Sequence, residues 1–262
     1  MAVPALPGDL PAVRSASPLS GGDIAEVWDV HLDDGRRVVV KRCPTDATLE
    51  AEGLEALRDA GAPTPAVLGV DAEVLVLEHV SGPGDLRVLG RALASAHGQR
   101  GPAFGWRRDN VIGPLPQANP WTDDWPTFYA ERRLAPYLDD LPAEVARRLE
   151  VACAGPLAEL LDHDVAPSLV HGDLWAGNIV ANGWLIDPAV NHADRELDLA
   201  MLALFGGVPA DLLAGYEEVW PLDDGWQRRR PALQLYHLLV HVRLFGSGYV
   251  RGVVSRLDEL GW

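Results

Sequence analysis

Apolar and polar residues come close to alternating from Ile24 to Leu32. The turn-forming Asp33-Asp34-Gly35 follows, and then the β-branched run Val38-Val39-Val40. A period near two on either side of a glycine turn predicts an antiparallel hairpin. Residues 1–12 ahead of it read as a short, proline-rich lead-in. Beyond the hairpin the period lengthens. Thr45 or Asp46 can cap a helix, Leu49, Leu54 and Leu57 roughly share one face, and Gly61 with Pro63 and Pro65 stops it. Short strands near 66–70 and 74–79 complete a β-β-β-α-β-β order within the first 80 residues.

After Ser81-Gly82-Pro83-Gly84 the pattern turns helical. Asp85 can cap a helix striped by Leu86, Leu89 and Leu93, in which His97 reads as a packed histidine. Helical patterns return at about 123–138 and 142–162, a brief β region spans 168–187, and the rest is mostly helical, with a long apolar segment from Pro231 to Phe245. Residues 99–121 are irregular, and a loop that long is usually functional. The expectation is an α+β chain of two lobes sharing a cleft. Residues 1–80 would form a small antiparallel sheet with one helix, and residues 81–262 a larger, mainly helical lobe.

Charge narrows the partners. The formal net charge is −16, and the basic pairs are scattered among acids, so no face is available to displace counterions from a nucleic acid. Arg228-Arg229-Arg230 reads as a solvated helix face. No stretch approaches the ~20 apolar residues of a membrane span, and the N-terminus lacks the pattern of a signal peptide. Two distant cysteines, Cys43 and Cys153, form neither a disulfide framework nor a zinc pattern, which fits a cytoplasmic protein. One count stands apart: of 22 basic residues, only Lys41 is lysine. Arginine and lysine part company where a compact ammonium must reach a single phosphate oxygen.

Residues 170–187 carry the most chemistry. His171, Asp173, Leu174 and Asn178 stand at the spacing of the kinase catalytic loop H-R-D-L-x-x-x-N, with Gly172 in the arginine position. A hairpin turning at Asn182-Gly183 follows, and Asp187 ends its second strand. Phosphoryl transfer needs a carboxylate to orient the attacking hydroxyl and take its proton, for which Asp173 is the candidate. It also needs Mg²⁺ on the phosphate oxygens, and hard cations take oxygen ligands such as Asn178 and Asp187. Together these motifs predict a two-lobed, protein-kinase-like fold using ATP.

Lys41 ends a strand that reads as buried, where a charge needs partners. The next helix offers Glu50, Glu52 and Glu55. Glu52 is favoured as the partner and Glu50 is its rival. Ser20, Gly21 and Gly22 sit between two predicted strands, where glycines let backbone N–H groups approach phosphates. The connector from Val76, with Glu78 and Val80, can present backbone groups to adenine. Trp175, Asn110, Trp125 and Arg132 are the substrate-side candidates, with tryptophans 106 and 121 also able to stack on a sugar.

The chain resembles the fructosamine kinase (ketosamine-3-kinase) family, related to aminoglycoside and choline kinases. His171-Gly172-Asp173-Leu174-Trp175 with Gly177-Asn178, then Leu185-Ile186-Asp187-Pro188-Ala189, is shared in outline across that superfamily. The narrower marks are Phe104-Gly105-Trp106, Asp109-Asn110, Ile112-Gly113, Pro116-Gln117, Asn119, Asp124-Trp125, Asp194-Arg195-Glu196, Asp198-Leu199-Ala200-Met201, Phe205-Gly206-Gly207, and Leu235-Tyr236-His237 through Gly248-Tyr249. The resemblance implies phosphorylation of the 3-hydroxyl of a ketosamine, free or on a glycated protein, as a deglycation step. It implies Asp173 as base, Asn178 and Asp187 as metal ligands, Lys41 with Glu52 on the phosphates, and a structural Asp198. Many relatives carry a cysteine after the glycine pair where this chain has Asp23, which argues against thiol regulation there. The alternatives are an aminoglycoside- or choline-type kinase, and a pseudokinase, which would have lost one of Lys41, Asp173, Asn178 or Asp187.

Overall fold

The computed structural model describes residues 3–19 and 25–262. Strands β1 (Val13–Pro18), β2 (Glu26–Leu32) and β3 (Arg37–Arg42) come first, followed by helix α1 (Ala47–Asp59) and strands β4 (Val67–Val70) and β5 (Val74–Glu78). They build one antiparallel sheet in the order β1-β2-β3-β5-β4. The β2–β3 turn places Gly35 at φ +88°, a conformation that suits glycine.

Strand alternation decides where Lys41 points. Val38 and Val40 pack on one face with Trp28, Val30, Leu32, Val74 and Val76, and the lead-in residues Val3, Leu6 and Leu10 cover that face. Val39 and Lys41 therefore point to the other face, which α1 covers through Ala47, Ala51 and Leu54 against Leu75 and Leu77. Asp46 caps α1 through the Thr48 amide, as expected.

The helical part opens with α2 (Leu86–His97), capped by Asp85. Strands β6 (Asn110–Ile112) and β7 (Leu115–Gln117) form a small hairpin inside the stretch that reads as irregular in the sequence. Helix α3 (Trp125–Phe128) runs on through a wide turn and a tight turn to Asp140. The helix expected over 142–162 is two helices, α4 (Ala143–Cys153) and α5 (Pro156–Leu161), broken at Gly155-Pro156. Then come β8 (Ser168–Val170), β9 (Ile179–Val180), β10 (Trp184–Leu185) and β11 (Asn191–Ala193). The remainder is α6 (Glu196–Leu204), α7 (Ala210–Val219), α8 (Trp226–Phe245) and α9 (Val250–Leu260).

Helices α2 and α7 touch backbone to backbone. A Cβ on Gly90 would stand 2.0 Å from the Leu212 carbonyl oxygen, and one on Gly215 2.0 Å from that of Arg87. Of this pair α2 also packs on β8, which pairs antiparallel with β11 and leads directly into the loop from His171 to Asn178. Among the described residues no helix is long and apolar enough to cross a membrane.

Candidate active site

Lys41 leaves β3 on the α1 side, and its Nζ donates to Glu50 Oε2 at 2.7 Å and to Asp187 Oδ1 at 2.6 Å. One ammonium thus joins the sheet, α1 and the segment after β10. Glu50, and not Glu52, is its partner. Helix phase is the reason: Ala47, Ala51, Gly53, Leu54 and Leu57 are the buried positions of α1, and Glu50 lies on their face. Glu52 points elsewhere and is held by Trp106, Arg107 and Arg108.

Electrostatics within this cluster are tense. Burial works to lower the Lys41 pKa, but the charges of Glu50 and Asp187 outweigh it and keep the ammonium protonated well above the ordinary range. Burial pushes the Glu50 carboxyl up to about 7, with Lys41 opposing and Asp187 adding to the shift. Burial also acts to raise Asp187, yet Lys41 holds it below the usual carboxylate range. Asp187 adopts φ +56°, a strained conformation for a residue with a Cβ.

The catalytic-loop motif is set in the large lobe by a frame of buried polar groups. Asp198, fully buried near the start of α6, accepts the His171 amide at 2.7 Å and the Gly172 amide at 2.9 Å, and meets His97 Nε2 at 3.1 Å. His97 Nδ1 meets the Tyr216 hydroxyl at 2.8 Å. His171 Nε2 donates to the Ile186 carbonyl at 2.9 Å, so its Nδ1 is free to accept the Asp173 amide. From α8, His237 Nε2 donates to the Gly172 carbonyl at 2.8 Å, a contact the sequence reading did not anticipate. Gly172 takes φ +83°, and a Cβ there would stand 2.1 Å from the Ala189 carbonyl oxygen. That close approach explains why glycine replaces the arginine of the kinase pattern.

Asp173 emerges from this frame with few partners. Asn178 Nδ2 donates to its carbonyl oxygen at 2.8 Å and lies 3.5 Å from its carboxylate. Burial pushes the Asp173 carboxyl up to about 7, and the charges of Asp187 and Asp198 add to the shift. Trp175, in the same loop, is exposed, and its indole lies across Gly177, where a Cβ would meet the ring at 2.3 Å.

The other expected site residues fall into three groups. Glu78 ends β5 with its amide bonded to the Ala66 carbonyl, and Val80 lies just beyond. Ser20, Gly21 and Gly22 lie outside the described residues, as does Asp23. Asn110 and Trp125, expected on the substrate side, are buried in the interior. Asn110 is buried, donates to the Val190 carbonyl at 2.7 Å and accepts from Gln117 and Asn119. Trp125 is 1% exposed and packs with Phe104, Phe128 and Tyr129. Arg132 pairs with its neighbour Glu131 at 3.4 Å and shares no hydrogen bond with Asp173, Asn178 or Asp187.

An antiparallel sheet with one helix, a helical lobe and carboxylates gathered opposite a strand lysine define a phosphotransferase of the two-lobed kinase-like class. A fructosamine kinase family model matches residues 5–260, and the chain belongs to that family. It is 42% identical over 226 residues to a probable ketoamine kinase of Synechocystis sp., covering 80% of this chain and 77% of that one. A Thermobifida fusca structure described as a candidate fructosamine-3-kinase superposes with a TM-score of 0.86 at 36% identity, covering 95% of this chain and 93% of that one. A choline/ethanolamine kinase family structure from Mesorhizobium loti shares the fold at 17% identity and a TM-score of 0.64, covering 94% of this chain and 87% of the other.

Proposed function

We propose that the chain transfers the γ-phosphoryl group of ATP to the 3-hydroxyl of a ketosamine. One observation carries the reading: Lys41 of the sheet bonds both Glu50 and Asp187, and Asp173 lies close enough to Asp187 for their charges to interact. Family membership supports the acceptor. In this reading Asp173 holds the attacking hydroxyl and takes its proton, and a carboxyl poised near neutrality suits that task. Lys41 supplies a fixed positive charge to the phosphates, and Glu50 holds it in place.

The donor set fits a hard cation. The Asn178 amide nitrogen is spent on Asp173, leaving its amide oxygen without a protein donor among the described residues, and the Asp187 side chain stays partly open to solvent beside its bond to Lys41. Asn178 and Asp187 would hold Mg²⁺, which would neutralise charge on the phosphate oxygens. Trp175, two residues after Asp173, offers an exposed ring on which a sugar can stack.

The test is turnover on a panel: a fructosamine, a ribulosamine, an aminoglycoside and choline, each with ATP and magnesium, with ADP release and ³¹P NMR of the product. The expected result is a 3-phosphate formed on one or both ketosamines. Phosphorylation of the aminoglycoside or choline with no ketosamine turned over would overturn the assigned acceptor. ADP release without a phosphorylated product would overturn the transfer itself.

A further inference from the structure

Two glutamates stand two positions apart on α1, and the Lys41 cluster uses only Glu50. At about 100° per residue they leave the helix roughly 200° apart and face nearly opposite sides. Glu52 is held wholly from the helical lobe. Its Oε1 accepts the Trp106 indole N–H at 2.6 Å and the Arg107 Nε–H at 2.7 Å, and its Oε2 pairs with Arg108 Nε at 2.8 Å. Its side chain is only 11% exposed. Arg108 also donates to the Thr48 carbonyl at 3.2 Å, in the first turn of the same helix. Burial works to raise the Glu52 carboxyl, but Arg107 and Trp106 outweigh it and hold the carboxyl below its ordinary range.

The next residue adds a second contact. Gly53 lies against the chain that follows Asp187: a Cβ there would stand 3.0 Å from Pro188 Cγ and 3.3 Å from Val190 Cγ2. A helix tied to a sheet by apolar packing alone can roll or slide. One held by a buried, three-donor carboxylate and pressed on Pro188 has its rotation set.

We propose that Glu52 is a positioning residue for phosphoryl transfer. Held by Trp106, Arg107 and Arg108, it fixes the roll of α1, and so presents Glu50 to Lys41 from the opposite side of the helix. The proposal rests on the reading of Lys41 and Glu50 given above. It assigns the Phe104–Arg108 segment to the helix and not to the sugar, and it makes α1 move with the helical lobe when the cleft opens or closes.

The one lysine makes a direct test available. Labelling with ¹⁵N-lysine yields a single side-chain ammonium resonance, that of Lys41. In Glu52→Gln that resonance should shift and exchange faster with water, and kcat should fall by about tenfold to a hundredfold, the scale of a small misplacement of a reacting group. KM for the ketosamine should stay within about twofold. Trp106→Phe, which removes a single donor, should move both readouts in the same direction by less. The double variant Glu50→Gln/Glu52→Gln should turn over no more slowly than Glu50→Gln alone, because Glu52 acts through Glu50.

An unchanged resonance and rate in Glu52→Gln would overturn the proposal, as would losses that multiply in the double variant. If Glu50→Gln kept the wild-type rate while Glu52→Gln still moved the resonance, the role of the Lys41–Glu50 pair would be what had failed, and the catalytic importance of Glu52 would fall with it.

Discussion

Asp198 and Asp173 lie on either side of one short loop, and the protein treats them in opposite ways. Asp198 is fully buried and accepts two backbone amides while meeting His97. Burial works to raise its pKa, and His97 and the Gly172 amide more than offset that, so it stays ionised below the usual range. Asp173 is also drawn out of water but finds only Asn178, and its carboxyl rises to about 7. A buried charge with its hydrogen bonds complete builds structure. One left short of partners is poised to act on something that arrives from outside.

The comparison can be broken at either end. The largest effect is expected for Asp173→Asn. Loss of the base should lower kcat by about a thousandfold, within the usual range for proton transfer by a positioned side chain, with the fold retained in circular dichroism. A folded variant with wild-type turnover would place the base elsewhere. Asp198→Asn should do the reverse and act first on stability. One amide oxygen cannot replace two carboxylate oxygens, and hydrogen bonds to a charged group count for more than neutral ones, so unfolding in urea should show a loss of about 3 kcal/mol. An unchanged midpoint would deny Asp198 its role as the frame of the loop.

A third carboxylate tests the same idea with a titrating partner. His163 Nε2 meets Asp194 Oδ2 at 2.9 Å, and next to this pair Glu196 is taken by Arg229 at 2.8 and 2.6 Å. Burial pulls the His163 pKa down, but the hydrogen bond and charge of Asp194 outweigh it and raise the value above 6.5. Its contribution is therefore fully present below that ordinary value and is lost as pH rises through the higher, folded-state value. The stability gap between wild type and His163→Gln should be larger at about pH 5.5 than at about pH 8.5, because the charged part of the pairing is present only at the lower pH. A gap that grew with pH would contradict the pairing. The smallest effect is expected at the exposed Glu144–Arg147 pair, where Glu144→Gln should leave the urea midpoint unchanged in the same assay.

Much of this was legible in the sequence, because period and motif report on local structure. The hairpin, α1, α2 and the loop from His171 to Asp187 follow from alternation, caps and spacing. What the sequence hid depends on tertiary phase. In the sequence Glu52, eleven residues after Lys41 and two before Leu54, is favoured over Glu50, whereas the small residues Ala47 and Ala51, with Leu54 and Leu57, mark a buried face that includes Glu50. Asn110 and Trp125 look like sugar contacts in the sequence. Asn110 is an interior group of the β6–β7 hairpin, bonded to the Val190 carbonyl in the chain after Asp187, and Trp125 is an interior ring at the start of α3. His237 gave no local signal, since its partner Gly172 lies 65 residues away in sequence.

The central claim is that one ammonium and the carboxylates around it form a phosphoryl-transfer centre. Lys41→Arg tests it most directly, in a chain that otherwise uses arginine for every basic side chain. The measurement is the initial rate of phosphate transfer from ATP to a fructosamine, compared with wild type at equal folded concentration. Arginine keeps the charge but not the compact geometry, and the predicted rate is lower by about a hundredfold or more. A rate equal to wild type would contradict the account.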